Sequence, residues 1–577
     1  MRIEHIEISK FRSIEYCKIS LDTLNAIVGQ NNSGKSALIR ALNAFFNPDE
    51  EKLSFYDGKH NYTSKSIAKI NVRFNNIPNE NDIQEFITND FLEVQLHYSH
   101  STKNIAFKYK FGRKFINAPP FLMSSINKYI SFVYIPPNRS SDQLKWQENS
   151  LIKELIEEFL KQETSKRDTL TPRFIKAAQY LEDNALKKIS KEVESCYALR
   201  HKFDFSLNFD KQANFLSFLG EIQMHIKEED QTHNLNDCGT GLQSLTIIAF
   251  HRVLAKLRHQ NIVLGLEEPE INLHPQAQRE LIKSIKLSSD SSSILNDISQ
   301  VLLTTHSTVI IDNIEHTNIS LVRKEPDEKR GFKTIITKTS DSFFSDHDLQ
   351  EFKYYQFHSY RNSDFFFANY VIFVESKNDA EVVKFLAEKE GIDLDLYGIS
   401  VVNIDGVNNL PYPFRIVKEL GIPYLIILDK DYFFPYISDD LKSSRSENGL
   451  PKYKYEYKAN NLINDLIVNQ RDRNLILNSF KTNHSRAMEL LADHSIICMQ
   501  YCLEMDLLCS DKAVQEMSII LNLTADQSNR KFLLTERVKV IKKIENILNV
   551  LDKMSNRNLP NSFKRIKKEL REISKSC

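Results

Sequence analysis

The chain has 577 residues, of which 41% are hydrophobic and 26% are charged, a composition typical of globular proteins and a length that indicates more than one domain. Lys plus Arg and Asp plus Glu are equal at 76 each, so no global basic field indicates nucleic acid and any DNA contact must come from local patches. Seven scattered cysteines argue against a secreted disulfide framework and favour a cytoplasmic protein. Since no stretch reaches the roughly 20 apolar residues of a membrane-spanning helix, we expect no membrane partner.

The N-terminal region contains a predicted strand–loop–helix unit. The strand covers Asn25–Val28 and the amphipathic helix runs from about Lys35 to Phe46, following the periodicities of the two structures. The loop between them fits G-x4-G-K-S, in which backbone N–H groups surround phosphate oxygens, the lysine reaches the β- and γ-phosphates and the hydroxyl ligates Mg²⁺. We therefore predict an ATP site formed by Gly29, Asn31, Asn32, Ser33, Gly34, Lys35 and Ser36, with Ser36 on the metal.

Residues from about 150 to 200 form a charge-rich segment with a helical pattern. The pattern predicts an insertion of antiparallel helices, which is a natural place for dimer contacts. Solvated helices with no partner are the alternative.

Helices and strands then alternate, which predicts a mostly parallel sheet covered by helices. An apolar run at 262–266 is followed by Glu267 and Glu268, at the sheet edge where ligands of α/β proteins bind. We predict that Glu267 holds Mg²⁺ through water and that Glu268 activates the attacking water. His306 follows the next apolar run and is predicted to contact the γ-phosphate; a structural histidine is the alternative.

A long helix is predicted to begin within Gly239–Ser244. Glycines and hydroxyls at a helix N-terminus favour anions, so Gly241 and Gln243 are predicted to bind the nucleotide of a second subunit. Plain helix capping is the alternative.

A second alternating block begins after a polar connector at 346–365. The run Val371–Val374 ends in Glu375, with Asp379 four residues later, and the run Tyr424–Leu428 ends in Asp429 and then Asp431. Carboxylates at neighbouring strand ends suit Mg²⁺ or Mn²⁺, and two such ions about 4 Å apart activate water and stabilise the leaving oxygen of a phosphodiester. We therefore predict a catalytic metal site formed by Glu375, Asp379, Asp429 and Asp431.

The N-terminal motifs together resemble the ABC ATPases of the RecF/SMC/Rad50 type. The sequence EEPEINLHP at 267–275 is most similar to the subgroup called OLD (overcoming lysogenisation defect). The resemblance implies that two ATPase heads sandwich ATP, and hence a homodimer or higher homo-oligomer. The sequence departs from the family pattern at two places: the signature segment is not LSGGQ, and Glu267 stands where most members have Asp.

The C-terminal acids resemble the Toprim domain over about Phe366–Asp431, with Ser376 in place of the family's usual glycine. OLD-type enzymes carry further acids, which implies Glu504 and Asp506 as second-metal ligands; an ordinary helix with two exposed acids is the alternative. The resemblance also implies a late lysine that stabilises the transition state. We assign Lys539, while Lys542 and Lys543 are equally available.

The predicted fold class is α/β: an ABC-type ATPase head at 1–345 with the helical dimerisation insertion, the connector, and a Toprim domain with a helical C-terminal region at 366–577. The resemblance implies an ATP-hydrolysing, metal-dependent DNA endonuclease that acts in antiphage defence, with a helicase or a retron reverse transcriptase and its RNA as partners in some members. The alternative is a DNA-repair ATPase whose Toprim region binds DNA without cutting it. A topoisomerase needs a breakage-reunion tyrosine domain, which we do not identify among 22 tyrosines, and the ABC motifs argue against a primase.

Overall fold

The computed structural model of the chain divides into two compact units, Met1–Asp341 and Ser342–Cys577. In the part of the chain that it describes, no helix is long and apolar enough to cross a membrane. The described residues are 1–52, 55, 62, 65–79, 81–137, 151–152, 155, 180–197, 202–209, 222–228, 231–257, 261–289, 298–329, 331–350, 363–435, 437, 446–456 and 461–576.

The first unit is built on a large mixed sheet of twelve strands among the described residues, in the order β7-β6-β5-β4-β1-β2-β15-β14-β3-β13-β12-β8, and β9, β10 and β11 form a small antiparallel sheet. The strands are β1 (Arg2–Phe11), β2 (Ile14–Ser20), β3 (Leu24–Val28), β4 (Ile67–Asn75), β5 (Leu92–Ser99), β6 (Asn104–Phe111), β7 (Lys114–Asn117), β8 (Ile130–Ile135), β9 (Phe203–Phe209), β10 (Ile222–Glu228), β11 (Gln231–Asn234), β12 (Asn261–Glu267), β13 (Ile298–Thr304), β14 (Ile319–Asp327) and β15 (Gly331–Lys338).

The described helices of this unit include one π-helical segment, Glu182–Leu186, and 3-10 turns at Leu235–Asp237 and His316–Asn318. The α-helices are α1 (Lys35–Phe46), α2 (Asn81–Gln84), α3 (Phe121–Tyr129), α4 (Lys187–Cys196), α5 (Thr240–Leu257), α6 (Pro275–Ser289) and α7 (Thr308–Ile311).

The parallel part of the large sheet positions the nucleotide motifs. All five residues of β3 are buried, as expected for a central strand covered on both faces. It pairs in parallel with β13 and β14, and β12 pairs in parallel with β13 and β8. The carboxyl ends of β3, β12 and β13 therefore meet at one edge of the sheet. The phosphate loop, Glu267 and His306 lie at this edge.

The predicted helical insertion is described only in part. The π-helical segment and α4 cover Glu182–Cys196, and most of the remaining residues between about 150 and 200 lie outside the described residues. A role of this segment in dimerisation stays a prediction.

The second unit contains a four-stranded parallel sheet in the order β17-β16-β18-β19. The 3-10 turns are Ser363–Phe367, Val407–Asn409 and Lys430–Tyr432. The strands and helices are α8 (Phe343–Asp346), β16 (Tyr370–Val374), α9 (Lys377–Lys389), β17 (Ile399–Asn403), α10 (Pro411–Glu419), β18 (Tyr424–Leu428), α11 (Asn461–Leu466), α12 (Gln470–Thr482), α13 (His484–Ala492), β19 (Ile496–Cys498), α14 (Leu503–Leu507), α15 (Asp511–Ile520), α16 (Arg530–Glu536), α17 (Val538–Ile541), α18 (Ile544–Asp552) and α19 (Asn561–Ser576).

The core of the second unit joins this sheet to the C-terminal helices. One cluster of buried side chains extends from Ile372 and Val374 of β16, through Val382 of α9, to Ile547 of α18 and Phe563 of α19. The helical C-terminal region is therefore part of the same hydrophobic core as the strands that carry the acids. The predicted α/β fold class, with a helical C-terminal region, is confirmed.

Candidate nucleotide and metal sites

The loop between β3 and α1 has the backbone of a phosphate-binding loop. Gly29 has a φ of 143°, and a Cβ there would lie 2.1 Å from the carbonyl oxygen of Val322, so only glycine fits. Gly34, with a φ of 108°, is the N-cap residue of α1. The side chain of Lys35 bends back over the loop, and its Nζ donates hydrogen bonds to the carbonyls of Gly29, at 2.9 Å, and Gln30, at 2.7 Å.

Lys35 is buried, and its burial lowers the pKa of the ammonium to about 8, against the raising effect of Glu268, Glu270 and Glu267. The three carboxylates thus lie within electrostatic reach of the loop lysine. The predicted phosphate loop and the acids that follow β12, more than 200 residues apart in the chain, share one site.

Glu267 is the last residue of β12 and is buried, with 4% of its surface exposed. Burial raises the pKa of its carboxyl group, while Arg40 and hydrogen bonds from Tyr134 and Ser36 lower it. The Nε of Arg40 lies 3.9 Å from the Oε1 of Glu267. The hydroxyl of Ser36 and the carboxylate of Glu267, which are predicted to share Mg²⁺, are therefore close enough for Ser36 to lower the pKa of Glu267, which fits a hard cation with oxygen ligands.

The turn after β12 brings Glu268, Glu270 and His306 together. Glu268 has a φ of 46°, a left-handed conformation that is costly for a non-glycine residue. Its backbone N–H donates to the carbonyl oxygen of Thr304 at 3.0 Å and to the hydroxyl oxygen at 3.1 Å. The Nε2 of His306 lies 3.6 Å from the Oε1 of Glu268.

Glu270 is a site residue that sequence reasoning did not single out. Its Oε1 accepts the backbone N–H of His306 at 2.6 Å, so it fixes the histidine loop after β13 to the turn after β12. Burial raises the pKa of Glu270, and burial, followed by Lys35, lowers the pKa of His306. The sequence signal that could have indicated Glu270 was its position two residues after Glu268, in the EEPE motif.

The signature segment at the start of α5 packs against this turn within the chain. A Cβ on Gly241 would lie 2.3 Å from the carbonyl oxygen of Asn272. The Nε2 of Gln243 donates to the carbonyls of Leu235, at 3.2 Å, and Cys238, at 3.0 Å. Both residues thus have intramolecular roles, and contact with a second subunit's nucleotide stays a prediction.

A cluster of three carboxylates lies at the carboxyl ends of β16 and β18, which are adjacent parallel strands. Oxygens of Glu375, Asp429 and Asp431 all lie within 4.8 Å of one another. Burial, followed by the charges of Asp431 and Asp379, raises the pKa of Glu375 to about 7. Burial and the neighbouring acids also hold the pKa of Asp429 well above its ordinary value.

The cluster fits a divalent cation. The Oε2 of Glu375 is buried and has no hydrogen-bond donor among the described residues, and buried polar atoms are normally partnered. Carboxylate oxygens are the ligands that Mg²⁺ and Mn²⁺ prefer. A bound cation would also offset the mutual repulsion that raises these pKa values.

Asp379 lies beside the cluster and also caps α9. Its Oδ2 accepts the backbone N–H of Ser376 at 2.9 Å and the Ser376 hydroxyl at 2.7 Å, and Ser376 Oγ in turn accepts the backbone N–H of Asp379. This capping box gives a physical role to Ser376, at the position where the sequence resemblance implied a glycine. Burial raises the pKa of Asp379, and the charge of Glu504 raises it further.

The two late acids have different surroundings. The Oε1 of Glu504 lies 3.0 Å from the Nζ of Lys542, so Lys542 rather than the assigned Lys539 pairs with an acid of the site. Asp506 is buried, and its oxygens accept the backbone N–H groups of Gln500, at 2.8 Å, and Tyr501, at 2.7 Å. It therefore fixes the loop after β19, and its predicted metal contact stays a prediction.

The fold and the two sites define a class of protein: an ATPase head followed by a Toprim domain. The family model described as "AAA ATPase domain" matches residues 1–118 and 87–311, more than half of the chain. The model described as "Overcoming lysogenization defect protein-like, TOPRIM domain" matches residues 366–431. The chain belongs to the AAA ATPase domain family and carries an OLD-like Toprim domain, and the predicted resemblance to the OLD family is confirmed.

The chain is similar to proteins named as nucleases over about three quarters of its length. It is 23% identical to "OLD nuclease" from Thermus scotoductus, over 74% of this chain and 82% of that protein. It is 22% identical to "Endonuclease GajA" from Bacillus cereus, over 78% of this chain and 77% of that protein. A solved Smc head domain with an extended coiled coil, bound to the C-terminal domain of ScpA and derived from Pyrococcus furiosus, is 15% identical with a TM-score of 0.38, covering 58% of this chain and 96% of that one.

Proposed function

We propose that the chain is an ATP-binding and ATP-hydrolysing, divalent-metal-dependent DNA endonuclease of the OLD type. The observation that carries the proposal is the cluster of Glu375, Asp429 and Asp431, whose oxygens lie within 4.8 Å of one another at adjacent strand ends. The nuclease names of its relatives support the same reaction. The cofactors are ATP and Mg²⁺ or Mn²⁺.

In the nuclease site, Glu375, Asp429 and Asp431 would hold a divalent ion, with Asp379 and Glu504 beside them. The ion, when bound, lowers the pKa of a coordinated water and withdraws charge from the phosphate. Lys542, held at 3.0 Å by Glu504, provides a positive charge for the phosphate oxygens. Burial and the neighbouring acids raise the pKa values of Glu375 and Asp429, and a bound cation would favour the ionised form of both groups.

In the ATPase site, Lys35 would leave the carbonyls of Gly29 and Gln30 to pair with the β- and γ-phosphates. Ser36 and Glu267 would share Mg²⁺. Glu268 would accept a proton from the attacking water, and His306, 3.6 Å from it, would contact the γ-phosphate.

We propose an ATPase domain at 1–345, a connector at 346–365, of which 351–362 lie outside the described residues, and a nuclease domain at 366–577. Two or more copies would assemble through their ATPase heads, and the substrate is DNA. The OLD resemblance supports an antiphage role in the cytoplasm, with a helicase or a retron reverse transcriptase and its RNA as candidate partners.

Plasmid cleavage with Mg²⁺ or Mn²⁺, with and without ATP, tests the proposal. We expect cleavage by the wild type and a loss of at least about 100-fold in Glu375→Gln and Asp431→Asn, as for removal of groups that act directly on the transition state. Glu381→Gln is the matched control, because Glu381 is exposed on α9 and pairs with Lys384 on the surface. Cleavage that survives both site substitutions contradicts the nuclease assignment; retained DNA binding would then favour the DNA-repair ATPase.

A further inference from the structure

Lys430, which lies between Asp429 and Asp431 directly after β18, is a buried cation with unusual surroundings. Lys430 is 4% exposed, although lysine is almost never buried without a partner. Among the described residues, no carboxylate lies within ion-pair distance of its Nζ. Its ammonium instead faces the aromatic rings of Tyr453, Tyr455 and Phe480, with ring centroids at 5.0, 5.1 and 5.9 Å.

This aromatic cage, formed by Tyr453, Tyr455 and Phe480, replaces part of the hydration that Lys430 loses. Ammonium groups are attracted to the faces of aromatic rings, most strongly when they are desolvated. The Nζ also donates a hydrogen bond to the hydroxyl of Tyr455 at 3.2 Å. Tyr453 and Phe480 are themselves buried, whereas Tyr455 is 38% exposed.

The backbone of Lys430 is fixed as firmly as its side chain. Its N–H donates to the carbonyl of Tyr501 at 3.0 Å, and its own carbonyl accepts the N–H groups of Phe433, at 3.0 Å, and Phe434, at 3.1 Å. Phe433 and Phe434 follow Lys430 closely in the chain, whereas Tyr501 and the three cage residues lie 23 to 71 residues further along. The residue between Asp429 and Asp431 is therefore attached to three separate parts of the second unit.

We propose that Lys430 and its aromatic cage form a positioning device, which sets the direction of the Asp429 and Asp431 carboxylates toward the metal. This inference rests on the proposed nuclease function and deepens it. Lys430 does not touch the phosphate or the metal, because its ammonium is enclosed by the cage. Groups that orient metal ligands without binding the metal change affinity by about 10- to 100-fold when they are removed.

The experiment is a titration of the metal-free full chain with Mn²⁺, without nucleotide, followed by electron paramagnetic resonance. The Mn²⁺ binding signal that remains in the Asp431→Asn variant is subtracted. The affinity that is reported therefore belongs to the cluster of Glu375, Asp429 and Asp431. Lys430→Met keeps the length and the apolar stem of the side chain, and we expect its Mn²⁺ affinity to fall about 10- to 100-fold. Lys430→Arg keeps a cation over the rings, and we expect an affinity within about threefold of the wild type.

Two further variants test the cage where a change to the buried lysine alters folding. Tyr455→Phe keeps the ring and removes only the hydroxyl that accepts a hydrogen bond from the Nζ, so we expect the Mn²⁺ affinity to fall by at most about threefold. Tyr455→Leu removes one face of the cage and should weaken Mn²⁺ binding about three- to tenfold, since one of several orienting groups is lost. Both changes are at an exposed side chain. The matched control is Lys454→Met, which removes an exposed lysine of the same segment and should leave the affinity unchanged.

Cleavage rates separate positioning from a general structural role. With a positioning role, saturating Mn²⁺ restores most of the Lys430→Met cleavage rate, because the weakened site fills again. The inference is overturned if Lys430→Met binds Mn²⁺ within twofold of the wild-type affinity, or if saturating Mn²⁺ leaves its cleavage defect unchanged. The proposed nuclease function fails differently, by an absence of metal-dependent cleavage in the wild type, and the binding titration decides the role of Lys430 in either case.

Discussion

The carboxylate of Glu375 should destabilise the metal-free protein at alkaline pH. Burial, followed by the charges of Asp431 and Asp379, raises the pKa of this group from an ordinary value of 4.5 to about 7. Glu375→Gln replaces it with a neutral amide of nearly the same shape. We therefore expect the substitution to stabilise the metal-free second unit at pH 8 and to have little effect at pH 5.

The direction follows from the protons bound by each state. Below pH 4.5 the group is protonated both in the folded and in the unfolded chain, and it contributes nothing to the pH dependence. Between 4.5 and about 7 the folded state keeps a proton that the unfolded state has lost, so stability falls as the pH rises. Well above pH 7 the carboxyl group is ionised in both states, so the loss of stability is complete and no longer depends on pH.

Moving the pKa from 4.5 to about 7 corresponds to roughly 3 kcal/mol, because each pKa unit is worth about 1.4 kcal/mol. Glu375 is only partly buried, and solvent screening reduces this to about 2 kcal/mol. At pH 5 the same reasoning gives about 0.5 kcal/mol. The gain from Glu375→Gln should therefore increase by about 1.5 kcal/mol between pH 5 and pH 8.

The assay is calorimetric unfolding at pH 5 and pH 8 in the presence of a chelator. Glu381→Gln, at an exposed ion pair on the same unit, should shift the free energy of unfolding by less than about 0.5 kcal/mol at both values. Adding Mn²⁺ at pH 8 should stabilise the wild type more than Glu375→Gln, since a cation that binds the folded state shifts the equilibrium. An equal effect of Glu375→Gln at both pH values, or a loss of stability at pH 8, would refute the reasoning.

Three further predictions concern the ATPase head. Lys35→Ala should weaken ATP binding about 100-fold by removing the cation of the phosphate loop, as measured with a fluorescent ATP analogue. The control is Lys52→Ala, at an exposed lysine. An ATP affinity of Lys35→Ala within threefold of the wild type contradicts the assignment of Lys35 to the phosphates. Glu268→Gln should slow ATP hydrolysis about 100-fold or more with ATP affinity nearly unchanged, and an unaltered turnover rate in a phosphate-release assay would remove Glu268 from the hydrolytic role. Gly241→Ala should destabilise the first unit by about 1–3 kcal/mol through overpacking, because the added Cβ would lie 2.3 Å from the carbonyl oxygen of Asn272. The control is Gly239→Ala, whose added Cβ has no atom within 4 Å and which should change the free energy of unfolding by less than about 0.5 kcal/mol. Equal effects of the two substitutions would contradict the close approach of Gly241 to Asn272.

The sequence by itself determined the features that depend on neighbouring residues. The phosphate loop at 29–36, the strand-end acids and their parallel strands could be predicted because glycine spacing, apolar runs and the polarity of strand ends are local patterns. The α/β fold followed from the alternation of strands and helices. The antiparallel flank from β4 to β7 pairs strands that are consecutive in the chain. Its attachment to the sheet, through the pairing of β4 with β1, joins strands that lie far apart in the chain and was not specified in this way.

Only the tertiary structure decided which side chains meet across long separations. It brought Glu270 to the backbone of His306, Arg40 to Glu267, and Lys542 rather than Lys539 to Glu504. It also bound both oxygens of Asp506 to loop N–H groups, which the spacing of E-x-D-L does not indicate. Sequence spacing constrains distances only within an element, whereas packing of the sheet and its helices fixes the separation of residues that lie far apart in the chain.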